Sequence, residues 1–283
     1  MKELRGKVAA ITGAGSGIGR ALALALADEG CHLALVDISA AGLQETAAAL
    51  EGRGVRVSRH VASVADRERM RALPAEIEAE HGAIHLLFNN AGVTINKSFE
   101  DSSLEELDFV MGVNLWGVLY GCHYFLPHLK QQPESHIVNT SSLAGFLGLP
   151  KQASYCLTKA AVKSLSESLR AELACHGIGV TSIHPGTIRT NILRTAASRS
   201  GANRSETESL ARLMERFGMP PEKLARRVVK AIRANRARVR IGFDSYLGDW
   251  LKRLLPQAVH APLRWGFSRT MRAKDARPGA AGS

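Results

Sequence analysis

The chain has 283 residues, 45% hydrophobic and 22% charged, with a net charge of +11. That is enough for one large α/β domain and short for two, with the composition of an ordinary globular protein. No apolar run reaches the roughly 18 residues of a membrane span, and Cys31, Cys122, Cys156 and Cys175 lack the CxxC spacing of a zinc site or redox pair.

MKELRGKVAAITG passes from a short polar lead into a strand-like run at 7–12. It shows no charged-then-apolar leader, so a cytoplasmic protein is expected. Further strand-like runs stand at 32–37, 55–61, 85–90, 136–141 and 179–184. They alternate with helical stretches at 17–29, 40–51, 66–80, 103–131 and 152–175. Strands separated by helices of this length predict βαβ units and a doubly wound parallel sheet, a Rossmann α/β fold. Ligands then bind at the carboxyl ends of the strands. Past Pro185-Gly186 a polar, Ser/Arg-rich stretch turns helical within 191–218, the expected lid. PPEKLARRVVKAIRAN reads as a helix with prolines in its first turn, and VRIGF (239–243) as a last strand. One domain over 1–245 is expected, followed by an amphipathic basic extension at 246–283 whose end, 273–283, reads as disordered. Residues 194–277 hold 20 Lys and Arg against 7 Asp and Glu, a net +13 that leaves the remainder at −2.

TGAGSGIG (12–19) follows the first strand and opens a helix. Glycines there let the backbone approach a pyrophosphate, and free N–H groups at the helix start favour negative charge. The run misses GxGxxG, because Ile18 takes the last glycine's place, but fits TGxxxGIG with Gly13, Gly17 and Gly19 in place. A tight turn could need the same glycines. Asp37 ends the second strand, where an acid can bond both ribose hydroxyls of an adenosine and repel a 2′-phosphate. It could instead cap the next helix beside Ser39. Tyr155 and Lys159 in YCLTK are one helical turn apart and face the same way.

In order and spacing, TGAGSGIG (12–19), NNAG (89–92), Asn114 in VNLWG, Ser142 in NTSS, YCLTK (155–159) and PGTIRT (185–190) resemble the short-chain dehydrogenase/reductase family over about residues 5–245. The resemblance implies NAD-dependent transfer of hydride between an alcohol and a ketone. Tyr155 would be the general acid/base, Ser142 would polarise the substrate oxygen, and Lys159 would hold the nicotinamide ribose. Asn114 would interrupt its helix to hold a water that links Lys159 to solvent. Tyrosine's ordinary pKa of about 10 would have to fall by roughly 2–3 units, about 3–4 kcal/mol of help for the phenolate. The cofactor would lie on Gly13, Ser16, Gly17, Ile18 and Gly19, on Asp37, on Asn90, Ala91 and Gly92, and on Pro185, Gly186, Ile188 and Thr190. Where the family usually places Asp-Val for the adenine this chain has Ser63-Val64, which loses a charge there. Taken singly, each residue has an ordinary alternative: Ser141 or Ser142 ending a strand, Asn114 a polar helix residue, Tyr155 and Lys159 a solvated pair.

Leu143, Phe146 and Leu149 suggest an apolar wall beside Ser142, and Leu193, Leu210, Leu213, Met214 and Phe217 an apolar lid, so a small apolar secondary alcohol or ketone is expected. Those lid residues could equally be the lid helix's own core. In SYLGDWLKRLLP, Leu247, Trp250, Leu251, Leu254 and Leu255 form a helical stripe beside Lys and Arg. Packing on its own domain or across a subunit interface is favoured for it over a peripheral membrane contact. The long helices 103–131 and 152–175 suit a homodimer or homotetramer, as the family implies. Rival readings are an NAD-binding sensor without turnover, which the complete Ser142/Tyr155/Lys159 set disfavours, and a nucleic-acid binder, for which no recognition motif accompanies the charge.

Overall fold

The strand-like runs form seven parallel strands in a computed structural model that describes residues 1–190 and 204–275. They are β1 (Val8–Thr12), β2 (His32–Asp37), β3 (Val57–Val61), β4 (Leu86–Asn89), β5 (Ser135–Thr140), β6 (Ile178–Pro185) and β7 (Arg238–Ile241), in the order β3-β2-β1-β4-β5-β6-β7. Helices α1 (Gly17–Asp28), α2 (Ala40–Ala48), α3 (Arg67–His81), α4 (Leu104–Met111), α5 (Gly117–Lys130) and α6 (Ala153–Glu172) follow the expected alternation. They are joined by α7 (Arg204–Phe217), α8 (Pro221–Arg233), α9 (Phe243–Leu254) and α10 (Ala261–Asp275). The last of these runs into the segment expected to be disordered.

Side chains alternate across a strand, so a sheet covered on both faces needs two cores. Ala9, Ile11, Leu33, Leu35 and Phe88 pack with Leu22 and Leu26 of α1 and Val228 and Ile232 of α8. Val8, Ala10, Val36, Leu87 and Ile137 pack on the other face with Met70, Leu73 and Ile77 of α3, Phe125 of α5 and Val162 of α6. Helix starts follow capping chemistry. The Ser39 hydroxyl accepts the Gly42 N–H at 3.1 Å, Asp66 accepts the Arg69 N–H at 3.0 Å, and Ser103 and Glu106 form a reciprocal capping box.

The expected helix at 103–131 is broken at Asn114, where Gly112–Trp116 forms a π turn between α4 and α5. By length and composition the 27 residues Leu104–Lys130 could cross a membrane, contrary to the expectation of no such run. Their Val118, Phe125 and Leu129 are instead buried against α3 and the sheet.

Of the two arrangements favoured for the tail, one does not occur. α9 does not bury its apolar stripe on its own domain: Leu247, Trp250 and Leu254 are 44%, 55% and 67% exposed. It buries Ser245, Gly248 and Asp249.

Burial also sets an acid limit on stability. Desolvation lowers His136 to about 3 and His184 to about 4, against an ordinary value of 6.5, so both fold as neutral imidazoles. Because the unfolded chain binds these protons first, the stability they contribute is present above pH 6.5 and is lost as pH falls toward 4. Unfolding by urea should therefore show a loss of about 3–4 kcal/mol between pH 7 and pH 5 from this pair. Replacing His184 with Gln should flatten that slope.

Candidate active site

The chain runs outward from β1 to β2 and β3, then returns to β4 on the other side of β1. The loops that leave β1 and β4 therefore diverge, opening a crevice at the carboxyl ends of the strands. Thr12 ties its walls together. Its hydroxyl donates to the Phe88 carbonyl at 3.1 Å and accepts the Asn90 N–H at 2.9 Å and the Ala91 N–H at 3.1 Å. The Asn90 side-chain amide donates to the Thr12 carbonyl at 3.0 Å. Asn90 and Ala91 were expected here; Thr12, the first residue of TGAGSGIG, was not.

Two glycines of the loop have no room for a side chain. A Cβ on Gly19 would overlap the Gly13 carbonyl, and one on Gly13 (φ +67°) would lie 2.9 Å from the Ala91 Cα. Ser16 is the N-cap residue of α1, yet its side chain makes no capping hydrogen bond. Ile18 packs partly against the core. A closely packed glycine turn leading to an uncapped helix start fits a pyrophosphate. Asp37 does not cap α2, a part that falls to Ser39. Its carboxylate accepts the Gly15 N–H at 2.9 Å and the Ser39 N–H at 2.9 Å, which sets it beside the glycine loop, where an adenosine ribose would lie. Ser63 is exposed past the end of β3, and Val64 is buried where a Cβ on Gly117 would come within 2.7 Å of its Cγ2.

The predicted catalytic side chains converge on the other side of Gly92. A Cβ there would stand 3.3 Å from Asn114 Oδ1 and 3.4 Å from Lys159 Nζ. The Asn114 amide accepts the Val93 N–H and donates to the Val93 carbonyl, both at 2.8 Å, so the side chain ties the NNAG segment to the π turn. Lys159 Nζ donates to the Thr140 carbonyl at 2.9 Å and lies 5.6 Å from the Tyr155 ring centroid. With the residue only 2% exposed, burial lowers its pKa to about 8. Burial also raises the Tyr155 phenol, while a hydrogen bond with Ser142 pulls it the other way. The net rise runs opposite to the drop expected from the sequence.

The two serines separate cleanly. Ser141 donates to the Lys159 carbonyl at 2.7 Å and is structural, whereas Ser142 faces the phenol and accepts the Ala144 N–H at 3.2 Å. Behind Ser142 lies His184, which the sequence did not single out. A carbonyl can only accept, so His184 Nδ1 donates to Ser142 O (3.2 Å) and Nε2 accepts from Ser182 Oγ (2.9 Å). Phe146 stacks on that imidazole with centroids 4.4 Å apart, so it backs the serine. Leu143 and Leu149, the rest of the expected apolar wall, are half-buried, and the Leu143 side chain lies against Gly248 of α9.

Pro185 and Gly186 leave β6 as expected. Ile188 is buried and pairs with Met219, which leaves its backbone, not its side chain, for a nicotinamide carboxamide. Thr190 lies against Gly17, its Cγ2 3.3 Å from where a Cβ would stand. Of the expected lid, Leu193 and the Leu210 side chain fall outside the described residues. Met214 is half-buried, and Leu213 and Phe217 are exposed, so the last two are not a core of their own helix.

Residues 7–201 match the short chain dehydrogenase family. The chain is 37% identical to SadH of Mycobacterium tuberculosis over 273 residues, 95% of this chain and 98% of that one. It is also 37% identical to a cyclohexanol dehydrogenase of Acinetobacter over 193 residues, 68% and 76% of the two chains. Among solved structures it resembles a short chain dehydrogenase/reductase of Burkholderia phymatum in complex with NAD. That likeness has a TM-score of 0.80 and 30% identity, and it covers the whole of both chains.

Proposed function

This chain is an oxidoreductase of the short-chain dehydrogenase family, and we propose that it uses NAD(H) to interconvert an apolar secondary alcohol and its ketone. The observation that carries the proposal is the unbroken contact from the glycine loop through Ala91 and Gly92 to Lys159, with Tyr155 and Ser142 beside it. Bound NAD supplies the hydride acceptor. Ser142 holds the substrate oxygen, and the Tyr155 hydroxyl exchanges the proton with it. Lys159 holds the ribose hydroxyls and brings positive charge to the phenol. In reduction the raised phenol is already the acid the reaction needs. In oxidation it must first lose its proton, so that direction should be favoured by alkaline conditions.

NAD is preferred over NADP because Asp37 faces the loop where a 2′-phosphate would lie. The apolar substrate is supported by Leu143 and Leu149, and by the likeness to a dehydrogenase named for cyclohexanol. Assembly through α5 and α6 is supported by exposed Trp116, which ends the π turn before α5, and Leu157 on α6, and a reducing, cytoplasmic setting by four free cysteines. The test is NADH formation from NAD with a panel of cyclic and linear secondary alcohols, repeated with NADP. Turnover of cyclohexanol-like alcohols is expected, with kcat/KM for NAD at least about tenfold above NADP, roughly the value of one charge contact. A silent panel together with tight NAD binding would replace the enzyme by a nucleotide sensor. Faster kinetics with NADP would overturn the part given to Asp37.

A further inference from the structure

Asp244 and Ser245 stand in the first turn of α9, just past the last strand and outside every motif that marks the active centre. The Asp244 carboxylate reaches away from its own helix. Oδ2 accepts the Thr187 N–H at 2.6 Å and the Thr187 hydroxyl at 2.9 Å, while Oδ1 accepts the Ser245 N–H at 2.9 Å. The carboxylate is partly exposed, and two glycines approach it closely. A Cβ on Gly186 would overlap Oδ1, and one on Gly242 (φ +101°) would come within 2.5 Å of it. Ser245, fully buried, donates to the His184 carbonyl at 2.8 Å. Two consecutive residues thus grip the chain on both sides of Pro185-Gly186.

The opposite edge of the same loop is fixed as well. The Met219 N–H donates to the Thr187 carbonyl at 2.9 Å, and the Arg189 N–H to the Met219 carbonyl at 3.1 Å. Its far end, Thr190, rests on Gly17 of the glycine loop. An acid in a first turn interacts favourably with the helix dipole wherever it points. That use needs neither a bond to Thr187 nor a glycine on each side. A carboxylate accepting two donors from one residue is, by contrast, a strong and directional tie.

We infer that Asp244 is a positioning residue of the cofactor site. By fixing Thr187 it sets the backbone of residues 186–190 beside the crevice, and through that backbone the affinity for NAD(H), while proton exchange at Tyr155 is left alone. This inference rests on the NAD reading proposed above.

The experiment is a fluorescence titration of the full chain with NADH, without alcohol. Asp244→Ala should raise Kd about tenfold or more, the equivalent of roughly 1.4 kcal/mol. Its kcat at saturating NAD and its pH profile should stay close to those of the unaltered protein. Asp249→Asn is the control for a loosened helix. Asp249 is buried on α9 and bonded to Arg240 at 2.8 Å and Arg253 at 3.0 Å, so its loss should lower thermal stability and leave the NADH Kd unchanged. Should Asp244→Ala fail to fold, Thr187→Val decides: it removes only the hydroxyl arm and should raise Kd about threefold. Unaltered binding in the deciding variant, or equal weakening in Asp244→Ala and Asp249→Asn, would overturn the inference. A chain that binds no NADH before any substitution overturns the cofactor reading, and this inference with it.

Discussion

Tyr155→Phe is expected to lower kcat at least about 1,000-fold in either direction while NADH binds almost as before, because general acid/base groups contribute about 10²–10⁴-fold. The substitution keeps the ring and removes only the hydroxyl, so the packing of α6 around it is preserved. What is lost is the hydroxyl beside Ser142 proposed to exchange a proton with the substrate oxygen. Ser142 cannot substitute for it, since its hydroxyl stays far above neutral pH in acidity and already accepts the Ala144 N–H. Lys159 is proposed to hold the ribose hydroxyls, with one of its three N–H groups on the Thr140 carbonyl, and not the substrate oxygen. The measurement is steady-state turnover set beside a direct NADH titration. A variant that retains about a tenth or more of kcat would show that proton exchange at Tyr155 is not what limits the barrier. If kcat and NADH affinity fell together, the phenol would be acting on the cofactor.

The parts of this centre that were legible in the sequence are those whose meaning is local. Glycines at 13, 17 and 19, an acid at the end of a strand, and Tyr155 one turn before Lys159 each rest on a fixed spacing along one element. The sheet was legible because continuous apolar runs separated by helices allow few other packings. The parts that were missed depend on residues far apart in the chain. Thr12 bridges to Asn90, His184 backs Ser142, and Asp244 holds Thr187, and no periodicity announces a bond across that distance. Ile188 was expected to meet the nicotinamide carboxamide from its place in PGTIRT; its side chain is buried in the core, which leaves the backbone for that part. In α9 the apolar stripe was real, but of the two packings expected of it, on its own domain or across a subunit interface, the first does not occur. Ser245 bonds the His184 carbonyl, Asp249 pairs with Arg240, and Gly248 sits where a Cβ would overlap Leu143, so the small and polar face docks and the stripe turns outward. Hydrogen bonds and close packing outweighed the hydrophobic pattern there, as buried polar groups that must be satisfied can do.

Lys159→Met should give a chain that is more stable and nearly inactive. Burial lowers the lysine from 10.5 to about 8, so holding its ammonium in the fold at neutral pH costs roughly 3 kcal/mol. Against this stands the single bond to the Thr140 carbonyl, worth about 1–2 kcal/mol. Methionine fills similar volume without the charge, so a net gain of about 1–2 kcal/mol is expected at pH 7. The sign follows from which state holds the proton. Below pH 8 both folded and unfolded chains carry the charge, and the penalty is complete. Between 8 and 10.5 the folded chain releases its proton first and the penalty is lifted. The advantage of the variant should therefore disappear by about pH 10, where it lacks only the bond. Over the same substitution kcat/KM should fall at least about 1,000-fold, because the positive charge next to Tyr155 and the anchor proposed for the ribose hydroxyls go together. Urea unfolding of both chains at pH 7 and pH 10 decides the matter. A variant less stable than its parent at pH 7, or a difference that does not change with pH, would mean that the buried ammonium is held there without cost. The fold would then not be giving up stability at this position to keep a charge beside the phenol.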